Sequence, residues 1–341
     1  MPGAFINALR SRVDKRLSTY LDEKREYAAR MGDARATLVD AIRELTMRGG
    51  KRLRPAVLYA SFAAATGRED IDAVLDLSAS LELLQTYLLI HDDWMDGDME
   101  RRGGPSVHAA LQREVKEVHL GDSLAILAGD LASTYAWELL VAGAKRAGNL
   151  EAILDAFRVM QEEVVLGQEL DIRGSLEVER MQDLKTGSYT VRGPLILGAL
   201  LGRASKETTD VLMKFGQPLG VAFQLRDDLL GTFGDPAKTG KPRGSDLRAG
   251  RRNSLILEAE RSLTSSDREK FDRVFGRASA TAAEIDAVTQ LLIGGGVKAR
   301  VEARLEALLE ESEAALQSPL LKEPGTTWLR ELRVLLARRE K

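Results

Sequence analysis

Apolar residues recur at i, i+3, i+4 and i+7 through almost the whole of this chain, a period that suits helix and little else. The pattern runs through residues 73–91, 124–144, 151–170, 205–230 and 298–315, and alternating strand-like runs bounded by hairpin turns are absent. The expected fold class is therefore all-α, a helical bundle. Helix starts are expected at Thr208-Thr209-Asp210 and at Thr264-Ser265-Ser266-Asp267, and stops or breaks at Gly67, Gly148 and Gly294-Gly295-Gly296. No linker, repeat or low-complexity segment interrupts the 341 residues, so 1–341 reads as a single domain.

Composition narrows the function classes. With 44% apolar and 30% charged residues the chain can bury a large core as a globular protein. A net charge of -3 supplies no basic footprint for nucleic acid. The absence of cysteine excludes disulfides and thiolate metal sites and is compatible with a cytoplasmic location. The three histidines, at 91, 108 and 119, are too scattered for a zinc site. The first residues lack the continuous apolar core of a signal peptide. The longest uninterrupted apolar stretches, such as residues 194–201, fall short of the roughly 20 residues of a membrane span, so no integral membrane protein is expected.

The chemistry is concentrated in two acidic clusters, His91-Asp92-Asp93-Trp94-Met95-Asp96 and Gln224-Leu225-Arg226-Asp227-Asp228. Asp92 and Asp96 stand at i and i+4 and so project from one helix face, where they can converge on one hard cation or an adjacent pair. Both clusters fall near the C-terminal ends of long apolar helices, just before polar loops, an arrangement suited to a greasy cavity with a charged mouth. Taken alone, two surface carboxylates four residues apart are commonplace.

Further segments give the clusters a context: Gly49-Gly50-Lys51-Arg52-Leu53-Arg54-Pro55, Arg101-Arg102-Gly103-Gly104-Pro105-Ser106, Gly167-Gln168-Glu169-Leu170-Asp171, Lys185-Thr186-Gly187-Ser188-Tyr189 and the loop from Gly234 to Pro242. In their order and spacing, from about Gly49 to Asn253, these motifs resemble the trans-type polyprenyl (isoprenyl) diphosphate synthases, most closely the geranylgeranyl type. The resemblance implies an isoprenoid-synthase-type bundle around a deep apolar central cavity. It also implies a magnesium-dependent transferase that joins isopentenyl diphosphate to an allylic diphosphate (dimethylallyl, geranyl or farnesyl), by ionisation, condensation and elimination, with release of diphosphate.

The resemblance assigns roles residue by residue. Asp92, Asp96 and Asp227 would hold Mg²⁺, three ions with substrate bound, against the leaving diphosphate. Arg101, Gln168, Lys185, Lys241 and Arg251 would bind the allylic diphosphate, and Lys51, Arg54, Gln85 and Arg102 the isopentenyl diphosphate. The Gln224 side chain, the Thr186 hydroxyl and the Lys185 carbonyl would stabilise the carbocation without trapping it. Tyr87, five positions before Asp92, would floor the tail cavity, with the smaller Leu88 beside it and Leu84 one turn deeper. That pattern, with no insertion in the first motif, implies a geranylgeranyl (C20) product, with farnesyl as the nearer alternative. The family also implies a homodimer.

The second motif departs from the common form, because Gly231 stands where many relatives carry a fourth-position carboxylate. Terpene cyclases share the fold and an aspartate-rich motif but need no isopentenyl site, so the 49–55 and 101–102 segments favour elongation. An inactive regulatory subunit would show a damaged acidic motif, whereas both motifs here keep their leading aspartates.

Overall fold

The computed structural model describes residues 3–234 and 244–337. Its helices are α1 (Ala4–Ala29), α2 (Asp33–Met47), α3 (Leu53–Thr66), α4 (Ile71–Asp96), α5 (Val107–Val115), α6 (Val118–Ala147), α7 (Leu150–Ile172) and α8 (Val178–Gln182). They continue, after a π-helical segment at Asp183–Arg192, with α9 (Gly193–Leu201), α10 (Lys206–Phe233), α11 (Ser245–Ala249), α12 (Ser254–Ser262), α13 (Ser265–Asp272), α14 (Ala282–Gly294), α15 (Val297–Ala315) and α16 (Gly325–Ala337). The all-α expectation holds. The five periodic stretches fall within α4, α6, α7, α10 and α15, with residue 205 as the cap of α10.

Most expected boundaries are caps. Thr264 caps α13 by accepting from Asp267 N, and Gly67 and Gly148 end α3 and α6 in the left-handed conformation. Gly294 ends α14 and left-handed Gly296 precedes α15. The start of α10 is displaced: Ser205, not the Thr208 cluster, is the cap, its Oγ accepting from Thr208 N at 3.2 Å. The expected absence of hairpins also needs correction. Glu100–Arg101 (β1) pairs antiparallel with Gly104–Pro105 (β2), and the two turn residues, Arg102 and Gly103, both have positive φ. Such a turn is of the two-residue primed kind, concealed here by an arginine where Asn or Asp is usual.

Packing divides the chain into two compact units. The first comprises Met1–Ala156, Leu197–Ala204 and Lys322–Trp328; the second comprises Phe157–Ile196, Ser205–Leu321 and Leu329–Lys341. In the first unit α4 lies along α6. Ala125, Ala128, Gly129, Ala132, Ala136, Gly143 and Ala144 are buried on α6 together with the larger Tyr135, Leu139 and Leu140, and the small residues let the helix backbones approach. A Cβ at Gly129 would overlap the His91 ring, and one at Gly143 would overlap Leu77. Ser80 Oγ on α4 donates to Ala136 O at 2.7 Å across the seam.

These same two helices bear on the membrane expectation. Among the described residues α4 and α6 are long and apolar enough to cross a membrane by length and composition, although no uninterrupted apolar run shows it. Within their most apolar windows, 67% of α4 and 44% of α6 is buried in the protein. The remainder of α6 shows Leu120 and Leu127 exposed on the face away from α4. In the second unit α10 packs along α15 and against the π-helical segment.

Candidate active site

In the first unit the C-terminal turn of α4 carries Asp92, Asp93 and Asp96 and no basic residue. Carboxylates there oppose the negative end of the helix dipole, so the turn favours a cation. Asp92 is half-buried, Asp96 exposed and Asp93 fully buried. Burial pushes the Asp93 carboxyl up, opposed by its hydrogen bond and ion pair with Arg101. Arg101 Nε donates to Asp93 Oδ1 at 2.6 Å; its Nη2 lies 3.3 Å from Asp98 and 3.9 Å from Asp92. The other Asp93 oxygen is buried without a hydrogen bond among the described residues. Arg101, expected on a diphosphate, is thus mounted beside the first acidic motif.

The hairpin sets Arg101 and Arg102 apart. Arg48 Nη1 donates to Arg101 O (2.9 Å) and Pro105 O (2.7 Å), clasping both strands. A Cβ at Gly104 would meet that guanidinium at 2.7 Å, which explains the second glycine of the motif. Arg102, left-handed at φ 53°, turns away and donates to Gly49 O at 2.7 Å. Gly49 itself needs φ 108°, a conformation suited to glycine.

Arg52 in the same motif does structural work that its neighbours do not. Its buried guanidinium pairs with Glu82 and Asp14 and donates to Thr46 O at 3.0 Å. Lys51 is exposed, and Arg54 and Gln85 are half-buried. Burial lowers the Arg102 pKa, opposed by Glu82, and the nearby charges of Arg52, Arg54 and Arg101 lower it further. Guanidinium groups that depress one another are relieved by an anion.

The proposed tail floor lies along α4. Tyr87 and Leu88 are half-buried, whereas Leu84 is a fully buried core residue. The Tyr87 ring meets the His91 ring edge-on at 5.0 Å, and His91 Nε2 donates to Ile126 O on α6 at 3.1 Å.

In the second unit the π-helical segment carries Lys185 and Thr186. π-helical turns within helices are frequent at functional sites, and this one spans ten residues. Arg192 clamps the segment, pairing with Asp183 at its start and with Glu163 on α7 at 2.9 Å. A Cβ at Gly167 would overlap the Lys185 backbone, so only glycine lets α7 pass this close. That places Gln168 next to the segment, and its buried Nε2 has no hydrogen-bond acceptor among the described residues. Lys185 Nζ donates to Asp171 at 2.5 Å, and Thr186 is half-buried.

On α10, Asp227 is half-buried and Asp228 buried. Asp228 accepts from Gln224 Nε2 (2.9 Å), Gln182 Nε2 (3.0 and 3.2 Å) and Ser254 N (2.9 Å). Burial pushes its carboxyl up to about 6 even though all three donors pull it down. At Gly231 a Cβ would overlap the Asp246 carboxylate. A carboxylate from α11 therefore occupies the space beside the position where the motif lacks one. Arg251 is exposed, its N–H donating to Asp246 O at 3.0 Å. Lys241 lies outside the described residues.

Sequence reasoning missed Arg48, Gln182, Asp246 and Ser254. Gly104 and Gly231 are the traces of two of them, facing Arg48 and Asp246; Gln182 and Ser254 leave none. Among the described residues no three His, Asp or Glu side chains gather as a closed cation cage. Magnesium suits such an open arrangement, because it keeps several waters and is held by one or two carboxylates plus substrate phosphates. The hard oxygen donors at the end of α4 fit that ion.

Comparisons with known proteins agree with this reading. Residues 35–292 match the polyprenyl synthetase family model. The short chain isoprenyl diphosphate synthase of Methanocaldococcus jannaschii is 30% identical over 296 residues, 84% of this chain and 83% of that protein. The geranylgeranyl diphosphate synthase of Mycobacterium tuberculosis is 33% identical, covering 79% of this chain and 77% of the relative. Among solved structures, the geranylgeranyl pyrophosphate synthase of Corynebacterium glutamicum, complexed with isoprenyl diphosphate and magnesium, superposes with a TM-score of 0.89 at 34% identity over 99% of both chains. This chain belongs to the polyprenyl synthetase family and is a prenyltransferase.

Proposed function

We propose that this chain is a geranylgeranyl diphosphate synthase, a cytoplasmic homodimer with a single catalytic domain. The observation that carries the reading is the end of α4, where three aspartates sit at the unfavourable pole of the helix with Arg101 mounted against them. Magnesium, found with the Corynebacterium glutamicum relative, would be held by Asp92, Asp96 and Asp227 and would stabilise charge developing on the departing diphosphate.

The chain's own residues do the rest. Arg101, Gln168, Lys185, Lys241 and Arg251 bind the allylic diphosphate, and the buried Gln168 amide supplies a donor for its oxygen. Lys51, Arg54, Gln85 and Arg102 take the isopentenyl diphosphate, whose charge relieves the crowding around Arg102. Gln224 Oε1, the Thr186 hydroxyl and the Lys185 carbonyl face the allylic cation as dipoles that are poor nucleophiles. The isopentenyl double bond attacks that cation, and the proton lost from the adjacent carbon passes to the released diphosphate. Tyr87 floors the tail at C20, and the exposed leucines of α6 form the dimer face. Incubation with labelled isopentenyl diphosphate and each allylic primer, followed by chromatography of the dephosphorylated products, tests the reading. A C20 alcohol is expected; a cyclic hydrocarbon from one substrate alone would refute it.

A further inference from the structure

Asp228 stands at the centre of a closed, buried hydrogen-bond ring that the proposed chemistry leaves unassigned. A carboxylate can only accept, and three donors from three elements converge on this one: Gln224 Nε2 from α10, Gln182 Nε2 from the end of α8, and the N–H of Ser254 in the first turn of α12. Ser254 Oγ then donates to Gln182 Oε1 at 2.8 Å, which closes the ring. Asp228, Gln182 and Ser254 are all buried.

Polarity runs one way around this ring. Flipping the Gln182 amide would set its oxygen against the carboxylate, since the Ser254 hydroxyl can turn to suit either end of the amide but a carboxylate cannot. Flipping Gln224 would set oxygen against oxygen. In a buried site each such mismatch leaves polar groups without partners, at a cost of about 1–3 kcal/mol each. With its NH₂ held on Asp228, Gln224 keeps its carbonyl oxygen turned away from that carboxylate. Gln182 also leads directly into the π-helical segment, so the same ring fixes the start of the element bearing Lys185 and Thr186.

We propose that Gln182 and Ser254 are positioning residues of the condensation, which act through Asp228 to hold the Gln224 carbonyl oxygen toward the allylic cation and in register with Lys185 and Thr186. The inference rests on the proposed function, and the test separates the two. Two allylic probes are compared by equilibrium binding with magnesium present. One is a thio-diphosphate that cannot ionise; the other is an ammonium analogue with a protonated nitrogen at the carbon that would become cationic.

Gln182→Leu is expected to weaken the ammonium probe about tenfold, and Ser254→Ala about threefold, with the thio-diphosphate changed less than twofold. In both variants kcat falls in parallel while KM for the allylic substrate holds. Ser254→Thr, which retains the hydroxyl, restores the wild-type values. Equal weakening of both probes, or no change in either, overturns the positioning role. If Gln182→Leu fails to fold, the Ser254 pair decides the outcome alone. A wild-type protein that neither binds the thio-diphosphate nor condenses the substrates overturns the underlying function instead.

Discussion

At the scale of single residues, the two acidic motifs differ in how they are built. Asp92 and Asp96 can be read from the sequence because one helix period brings them together. The second motif cannot be completed that way, since the carboxylate beside Gly231 comes from Asp246, fifteen positions on and in another helix. Truncation of a leading aspartate, Asp92→Ala or Asp227→Ala, is expected to lower kcat by roughly three orders of magnitude with the helical circular dichroism unchanged, because stabilisation of the leaving group is lost. Steady-state turnover at ordinary magnesium concentration checks this, and near-normal rates would refute it. Gly231→Ala has a less obvious outcome: the new methyl displaces the Asp246 carboxylate, and kcat is expected to fall about tenfold. If Gly231→Ala instead matched the wild-type rate, Asp246 would have no part in the site.

At the scale of elements, each structural device serves a neighbour. The 100–105 hairpin is too short to stand by itself and is held by Arg48 from the end of α2. Gly104→Val should push that guanidinium aside and loosen the turn that aims Arg102. KM for isopentenyl diphosphate is expected to rise about tenfold while KM for the allylic substrate stays within about twofold; the reverse pattern in initial-rate kinetics would show that the two diphosphate sites are exchanged. Along α4, Tyr87→Ala should open the floor and lengthen the products past C20, read by chromatography of the dephosphorylated alcohols. An unchanged distribution would place the floor elsewhere. Helices α4, α6, α7 and α10 are legible because burial along them repeats with their own turn. The Gln182–Asp228–Ser254 ring is not, because its partners stand 46 and 72 positions apart and polar residues at such distances carry no period. The primed hairpin escapes notice for a local reason: Arg102 adopts a positive φ that its side chain does not advertise.

At the scale of the whole molecule, the two faces of α6 have opposite characters. One is buried and rich in alanine and glycine; the other shows Leu120 and Leu127, 47% and 53% exposed. For the proposed dimer built on that outer face, Leu127→Arg is expected to shift the protein toward monomer in sedimentation velocity, since a charge would have to be buried at the contact without a partner. An unchanged sedimentation coefficient at the dimer value would exclude α6 from the contact. The glycine at 129 allows the His91 ring to lie on α6, and the carbonyl that His91 grips belongs to Ile126, the immediate neighbour of Leu127. Tyr87 leans on that same ring. Under the proposed assignments, the residue that gauges the hydrocarbon tail would be braced from behind by the stretch of helix that meets a second subunit, and a lineage could then retune the length of its isoprenoid by substitutions at that seam, leaving every wall of the tail cavity untouched.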